Sequence, residues 1–161
     1  MRSALGLVAI AYAGISLNVW CLSGIVPWFL LPDFGFLAIV YAGLFITGPA
    51  GFLAALLTAL FRETTMSAPP LTFLLSSLAL YFFTREIGCR LFLRAEPFIL
   101  ATVLGLLLAE SVSVIALMAF TGAHPFAPLW FAEEAVRIAW TGLVAVPAYM
   151  YLSLRWRQVE E

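Results

Sequence analysis

The 161-residue chain has no lysine, one aspartate, one histidine and two cysteines. Each shortage excludes a class of chemistry. His124 stands between Ala123 and Pro125 with no second His or Cys at ligand spacing, so no imidazole or thiolate metal centre is expected. Cys21 and Cys89 form no CxxC and fall near opposite faces of the topology below, which disfavours both an intramolecular disulfide and a metal site. Asp33 is the only Asp, so paired intramembrane aspartates are absent. No serine sits in a GxSxG turn, and no glycine-rich phosphate loop appears. The expectation is a non-enzyme without metal or cofactor, Glu110 being the one residue with a case as a general base. A net charge of −1 offers no basic patch for nucleic acid.

The main shortage is charge itself. Only 11% of residues are charged and 64% are hydrophobic, with a mean hydropathy of +1.06. Water-soluble domains are about a quarter charged and roughly half apolar. The composition therefore reads as an all-α integral membrane protein.

A helix needs roughly 20 apolar residues to cross the hydrocarbon core, with about 17 tolerated. Spans are expected at 4–22, 34–46, 51–61, 70–83, 97–120 and 129–154 of a single transmembrane domain covering 1–161. The second and third are divided at "TGPAG", Thr47 to Gly51, because Gly and Pro end helices and support a turn. Both are short, so tilt or local bilayer thinning is expected. "IVPWFLLPD" before them reads as an interfacial linker, with Trp28 at the headgroup level. The N-terminal Arg2 and apolar run resemble a signal sequence. The Ala11/Ala13 pair would leave too short an apolar region before a cut, so an uncleaved anchor helix is expected.

Six spans place Arg2, Arg85, Arg90, Arg94, Arg155 and Arg157 on one face and Arg62 alone on the other. Under the positive-inside rule the first face, with both termini, is cytoplasmic. Phe126, Trp130 and Phe131, near the opposite face, read as interfacial anchors, with the rim of a cavity as the alternative.

Glu110 lies in the middle of the fifth span. A carboxylate at that depth costs roughly 2.5–3.5 kcal/mol unless paired or wetted. Arg137, in the sixth span, differs from it in depth by only about 5 Å at 1.5 Å per residue. An intramembrane Glu110–Arg137 pair that fastens the two helices is therefore expected, with a partner-protein contact or a substrate cavity as the alternatives. Glu134, three residues before Arg137, competes for the guanidinium. Small residues recur every four positions at Gly51, Ala55 and Ala59, at Gly105, Ala109 and Ser113, and at Ala9 and Ala13. Such rows let helices approach closely, and at least one is expected inside the bundle.

One stretch carries a family likeness. "LPDFGFLAIVYAGLF", with Pro32, Asp33 and Tyr41, is similar to the opening of the second span in the rod shape-determining protein MreD family. "GFLAALLTALFRETTMSAPPLTFLL" resembles that family's next helix and turn, with Gly51 at its start, Glu63 at the family's Asp position and Pro69 at its Pro. The chain departs from the pattern in lacking a Gly-Leu before the acid and a Gly after the Pro, as a divergent member would. The resemblance implies a six-helix transmembrane bundle similar to the S-component fold of energy-coupling-factor transporters, in a bacterial inner (plasma) membrane. It implies a non-enzymatic scaffold of the cell-elongation complex, involved in cell shape and lateral peptidoglycan synthesis. Its partner would be an MreC-like bitopic protein, with RodA, a penicillin-binding transpeptidase and, indirectly, MreB further on. The competing expectation is a vitamin-binding S component. For that, the outer loop and the Asp33 linker supply few convergent hydrogen-bonding groups.

Overall fold

The computed structural model describes residues 2–22, 24–46, 48–65, 71–90, 96–120 and 128–160. Pro69, His124 and Phe126 lie outside them, as do the side chains of Cys21, Cys89 and Trp130. Among the described residues there are six α-helices and no strand: α1 (Arg2–Ser16), α2 (Phe34–Phe45), α3 (Pro49–Thr65), α4 (Thr72–Arg90), α5 (Glu96–Phe120) and α6 (Pro128–Glu160). A π-helical turn, Leu17–Leu22, extends α1, and a short 3₁₀ turn, Trp28–Leu30, precedes α2.

The shortest helix is the innermost. Between Phe34 and Phe45, α2 has no charge and no polar side chain except Tyr41, so it has no face suited to water. Every residue from Gly35 to Gly43 is buried. Helices α1, α3, α4 and α6 all pack on it, and α5 closes the bundle against α4 and α6. At about 18 Å long, α2 is well short of the roughly 30 Å hydrocarbon thickness. Among the described residues only Leu100–Phe120 is both long and apolar enough to cross a membrane alone.

The helix ends follow from local chemistry. Asp33 caps α2, its Oδ1 accepting the Phe36 N–H at 2.8 Å. The turn into α3 uses Gly48 at φ 76°, in the left-handed region, and Pro49 at the first helical position. A Cβ on Gly51 would run into the Ile46 carbonyl oxygen, so α3 can leave this turn only with glycine there. Helix α4 begins after Leu71, which is held at φ 68° and has no side chain able to cap. Glu63, at the end of α3, supplies the missing acceptor and takes the N–H groups of Leu71 and Leu74.

The small-residue rows divide. Gly51, Ala55 and Ala59 are buried along α3, whereas Gly105 and Ala109 face outward from α5, as do Ala9 and Ala13 from α1. A Cβ on Gly105 would meet nothing. Gly105 and Ala109 therefore contribute no close approach among the described residues. Tyr41 is inward, 4.7 Å from the Phe45 ring and 5.6 Å from that of Tyr149, centroid to centroid. The Tyr149 hydroxyl donates to the Leu37 carbonyl at 2.9 Å.

Polarity is distributed inside-out. The exposed large side chains include Leu5, Ile10, Leu57, Phe82, Leu108, Val112 and Leu143. Among residues whose side chains are described, the exposed charged ones are Arg85 and Glu86. Asp33, Arg62, Glu110 and Glu134 are buried.

Candidate functional site

Five ionisable side chains from four parts of the chain meet at one end of the bundle. The first is placed by α3. Its buried face runs Gly51, Ala54, Ala55, Thr58, Ala59 and Arg62, the three-and-four spacing of one helical stripe. Arg62 is the last member of that stripe, so it points into the protein and is fully buried. Room for its stem exists because residue 35 is glycine: a Cβ there would lie 2.5 Å from Arg62 Cδ and 2.6 Å from Cγ.

The Arg62 guanidinium joins two acids. Nη2 donates to Asp33 Oδ2 at 2.7 Å, and Nη1 to Glu110 Oε1 at 2.6 Å and Ser77 Oγ at 3.0 Å. Its carbon also lies 5.3 Å from the Phe73 ring centroid, within cation–π range. Asp33 is the hub. While Oδ1 caps α2, Oδ2 accepts a second guanidinium, Arg137 Nη1, at 3.0 Å. The Asp33 N–H is satisfied by Thr141 Oγ1 of α6 at 3.2 Å. Arg137 continues the chain to Glu134, donating from Nη2 to Oε1 at 2.6 Å and from Nε to Oε2 at 2.9 Å. The Ser111 hydroxyl of α5 donates to the same Glu134 Oε1 at 2.6 Å. One connected network thus ties α2, α3, α4, α5 and α6 together.

Glu110 therefore has a guanidinium opposite it, but not the expected one. The Glu110–Arg137 pair is not formed: Glu110 takes Arg62, and Arg137 is divided between Glu134 and Asp33. Two causes are visible. Glu134 lies one turn from Arg137 on the same helix and holds it by two hydrogen bonds, so the competitor wins. Arg62, expected as a lone charge on one face, instead belongs to a helix that continues to Thr65 and turns its stripe inward. The signal was present in the sequence as the three-and-four spacing Ala54, Ala55, Thr58, Ala59, Arg62, a stripe wider than the four-residue row, which itself runs on to Glu63. Of the other expected positions, Glu63 has the capping role described above, and Phe131 is exposed.

A cavity of about 410 Å³ opens beside the network. Its wall includes Asn18 from the π-helical turn, Asp33, Phe73, Glu110, Val114 and Arg137. It lies where α1, α3 and α5 end and α2, α4 and α6 begin, the end of the bundle remote from Arg85. Two acceptors on this wall lack partners: Glu110 Oε2 and Asn18 Oδ1 are buried without a hydrogen bond, although Asn18 Nδ2 donates to the Pro32 carbonyl at 2.8 Å. Among the described residues no three His, Cys, Asp or Glu side chains are grouped to hold a metal ion. The carboxylates are instead separated by the guanidinium groups that bridge them. The outer loop, one of the two segments expected to supply few polar groups, lies outside the described residues; side chains from α1, α5 and α6 join the Asp33 linker at the cavity.

No protein-family model, no curated protein and no solved structure matches the chain.

Proposed function

We propose that the chain is an integral membrane protein of six helices, both termini cytoplasmic, that works by receiving a neighbouring molecule in the cavity rather than by catalysis. The inside-out polarity carries this: Leu, Ile, Phe and Val face outward while three acids and two arginines are enclosed. In water such a surface would associate without limit. In lipid it is the stable arrangement, and enclosed ionised groups there mark functional positions. The short α2 is compatible with a bilayer because neighbouring helices cover it on every side. Arg2 begins α1, Arg85 and Arg90 lie near the end of α4, and Arg155 and Arg157 lie in the last turns of α6. Positive-inside orientation puts that end in the cytoplasm, so the cavity faces the outer side.

The partner follows from the resemblance to MreD. On that basis the chain is a scaffold subunit of the bacterial elongation machinery, and the cavity receives a segment of an MreC-like bitopic protein. Asp33 and Glu63, both in the resembling stretch, support this by their positions: one joins the cavity wall to α2 and the other fixes the α3–α4 junction. In a rod-shaped host, depletion of the chain is expected to turn rods into spheres, and the tagged chain is expected to co-purify with a bitopic membrane protein. Cells that remain rods contradict the elongation role. A second reading, the S component of a nutrient transporter, is favoured by the polar groups converging on the cavity and by the outward Ala9 and Ala13 on α1. It requires co-purification with an ATP-driven transport core and unchanged cell shape on depletion.

A further inference from the structure

The network is unbalanced. Asp33, Glu110 and Glu134 supply three negative charges, whereas Arg62 and Arg137 supply two positive ones. An excess charge away from water is costly unless a counter-charge is brought to it. The shortage falls on one side of the network. Glu110 lines the cavity and is 2% exposed; its Oε1 is taken by Arg62, and its Oε2 is buried without a hydrogen-bond partner. The second unpartnered atom on that wall, Asn18 Oδ1, is also an acceptor. Arg62 Nε, an unpartnered donor, belongs to a residue outside the wall. Among the described residues, what the cavity lacks is hydrogen-bond donors and one positive charge.

We propose that this cavity is a binding site for an organic cation, a primary ammonium or a guanidinium, whose head docks on Glu110 Oε2 and whose apolar stem lies against Phe73 and Val114. An ammonium group offers three donors and no acceptor, and a guanidinium five donors. Either is complementary to a wall whose open positions are acceptors. A bare metal ion fits less well, since the acids do not converge on one point. The volume of about 410 Å³ lies at the small end of ligand pockets, enough for a charged head and a short stem. The same chemistry comes from two sources, a Lys or Arg side chain of a docking protein or a free small amine. The proposal rests on the cavity being the receptor surface, and not on which complex the chain serves.

The test uses the purified full chain in non-ionic detergent, with its unfolding midpoint followed against added butylammonium, butylguanidinium and, as the neutral isostere, butanol. The two cations are expected to raise the midpoint saturably and to bind at least roughly tenfold more tightly than the alcohol. Glu110→Gln should abolish that preference. Met118→Trp fills the cavity without removing an ionised group and should abolish cation binding, which keeps the test valid if Glu110→Gln folds poorly. An apolar pentapeptide with a central lysine, compared with its norleucine counterpart, separates the sources. Displacement of butylammonium by the lysine peptide alone assigns the site to a protein side chain; displacement only by free amines assigns it to a small molecule. Equal binding of butanol and the cations overturns the proposal, as does undiminished cation preference in Glu110→Gln. Host cell shape does not enter, so rods that persist on depletion would remove the elongation role and leave this result standing.

Discussion

Replacement of Arg62 by methionine is expected to lower the stability of the folded chain by about 3–5 kcal/mol, the range for removing one partner of a buried ion pair. Methionine keeps most of the stem volume beside Gly35, so the loss is of charge rather than packing. The size of the effect follows from what remains. Asp33 Oδ2 keeps Arg137, but among the described residues Glu110 has no other guanidinium within hydrogen-bond distance, and the network goes from three acids against two arginines to three against one. Arg137→Met should cost less, because that side chain is 14% exposed and lines the cavity, whereas Arg62 is fully buried. Reversible unfolding in mixed detergent micelles measures both. Equal costs for the two replacements would mean that Arg62 is not the more deeply committed guanidinium.

Asp33→Ala is expected to have the next largest effect, and Asp33→Ser a smaller one. Alanine removes the cap of α2 together with both ionic contacts, whereas serine retains an acceptor for the Phe36 N–H. Cap loss alone costs about 1 kcal/mol, which should be the separation between the two variants. Charge counting sets their position relative to Arg62→Met. Without Asp33 the network holds two acids and two arginines, so its charges balance, and the penalty for stranded ions is smaller than when an arginine is removed. The expected order of stability is wild type, Asp33→Ser, Asp33→Ala, then Arg62→Met. An Asp33→Ala protein less stable than Arg62→Met would contradict the inference that the site carries excess negative charge.

The helices were legible because two sequence signals act independently of tertiary contacts. Apolar runs mark Leu100–Phe120 and Phe34–Phe45 directly, and Gly48–Pro49 marks the turn between α2 and α3. The requirement that Glu110 meet a cation was legible too, since it follows from an acid in the middle of an apolar run. The identity of the cation was not. Depth and chain proximity rank Arg137 first, but they do not register that Arg137 has Glu134 on its own helix, nor that Arg62 continues the buried stripe of α3. The four-residue row Gly51, Ala55, Ala59 leads to Glu63, and Arg62 belongs only to the wider stripe that also takes in Ala54 and Thr58. Asn18, Ser77, Ser111 and Thr141 were out of reach, because a single polar residue in an apolar helix acquires a role only when another helix brings its partner.

The claim on which the cavity, its charge and its ligand all depend is that Glu110 is held by Arg62. A pair of double-mutant cycles tests it, one combining Arg62→Met with Glu110→Gln and the other Arg137→Met with Glu110→Gln. For side chains in contact, coupling runs from roughly 0.5 to 3 kcal/mol. The Arg62 cycle should fall in the upper part of that range, and the Arg137 cycle near or below its lower limit. A larger coupling for Arg137 than for Arg62 would contradict the network described above.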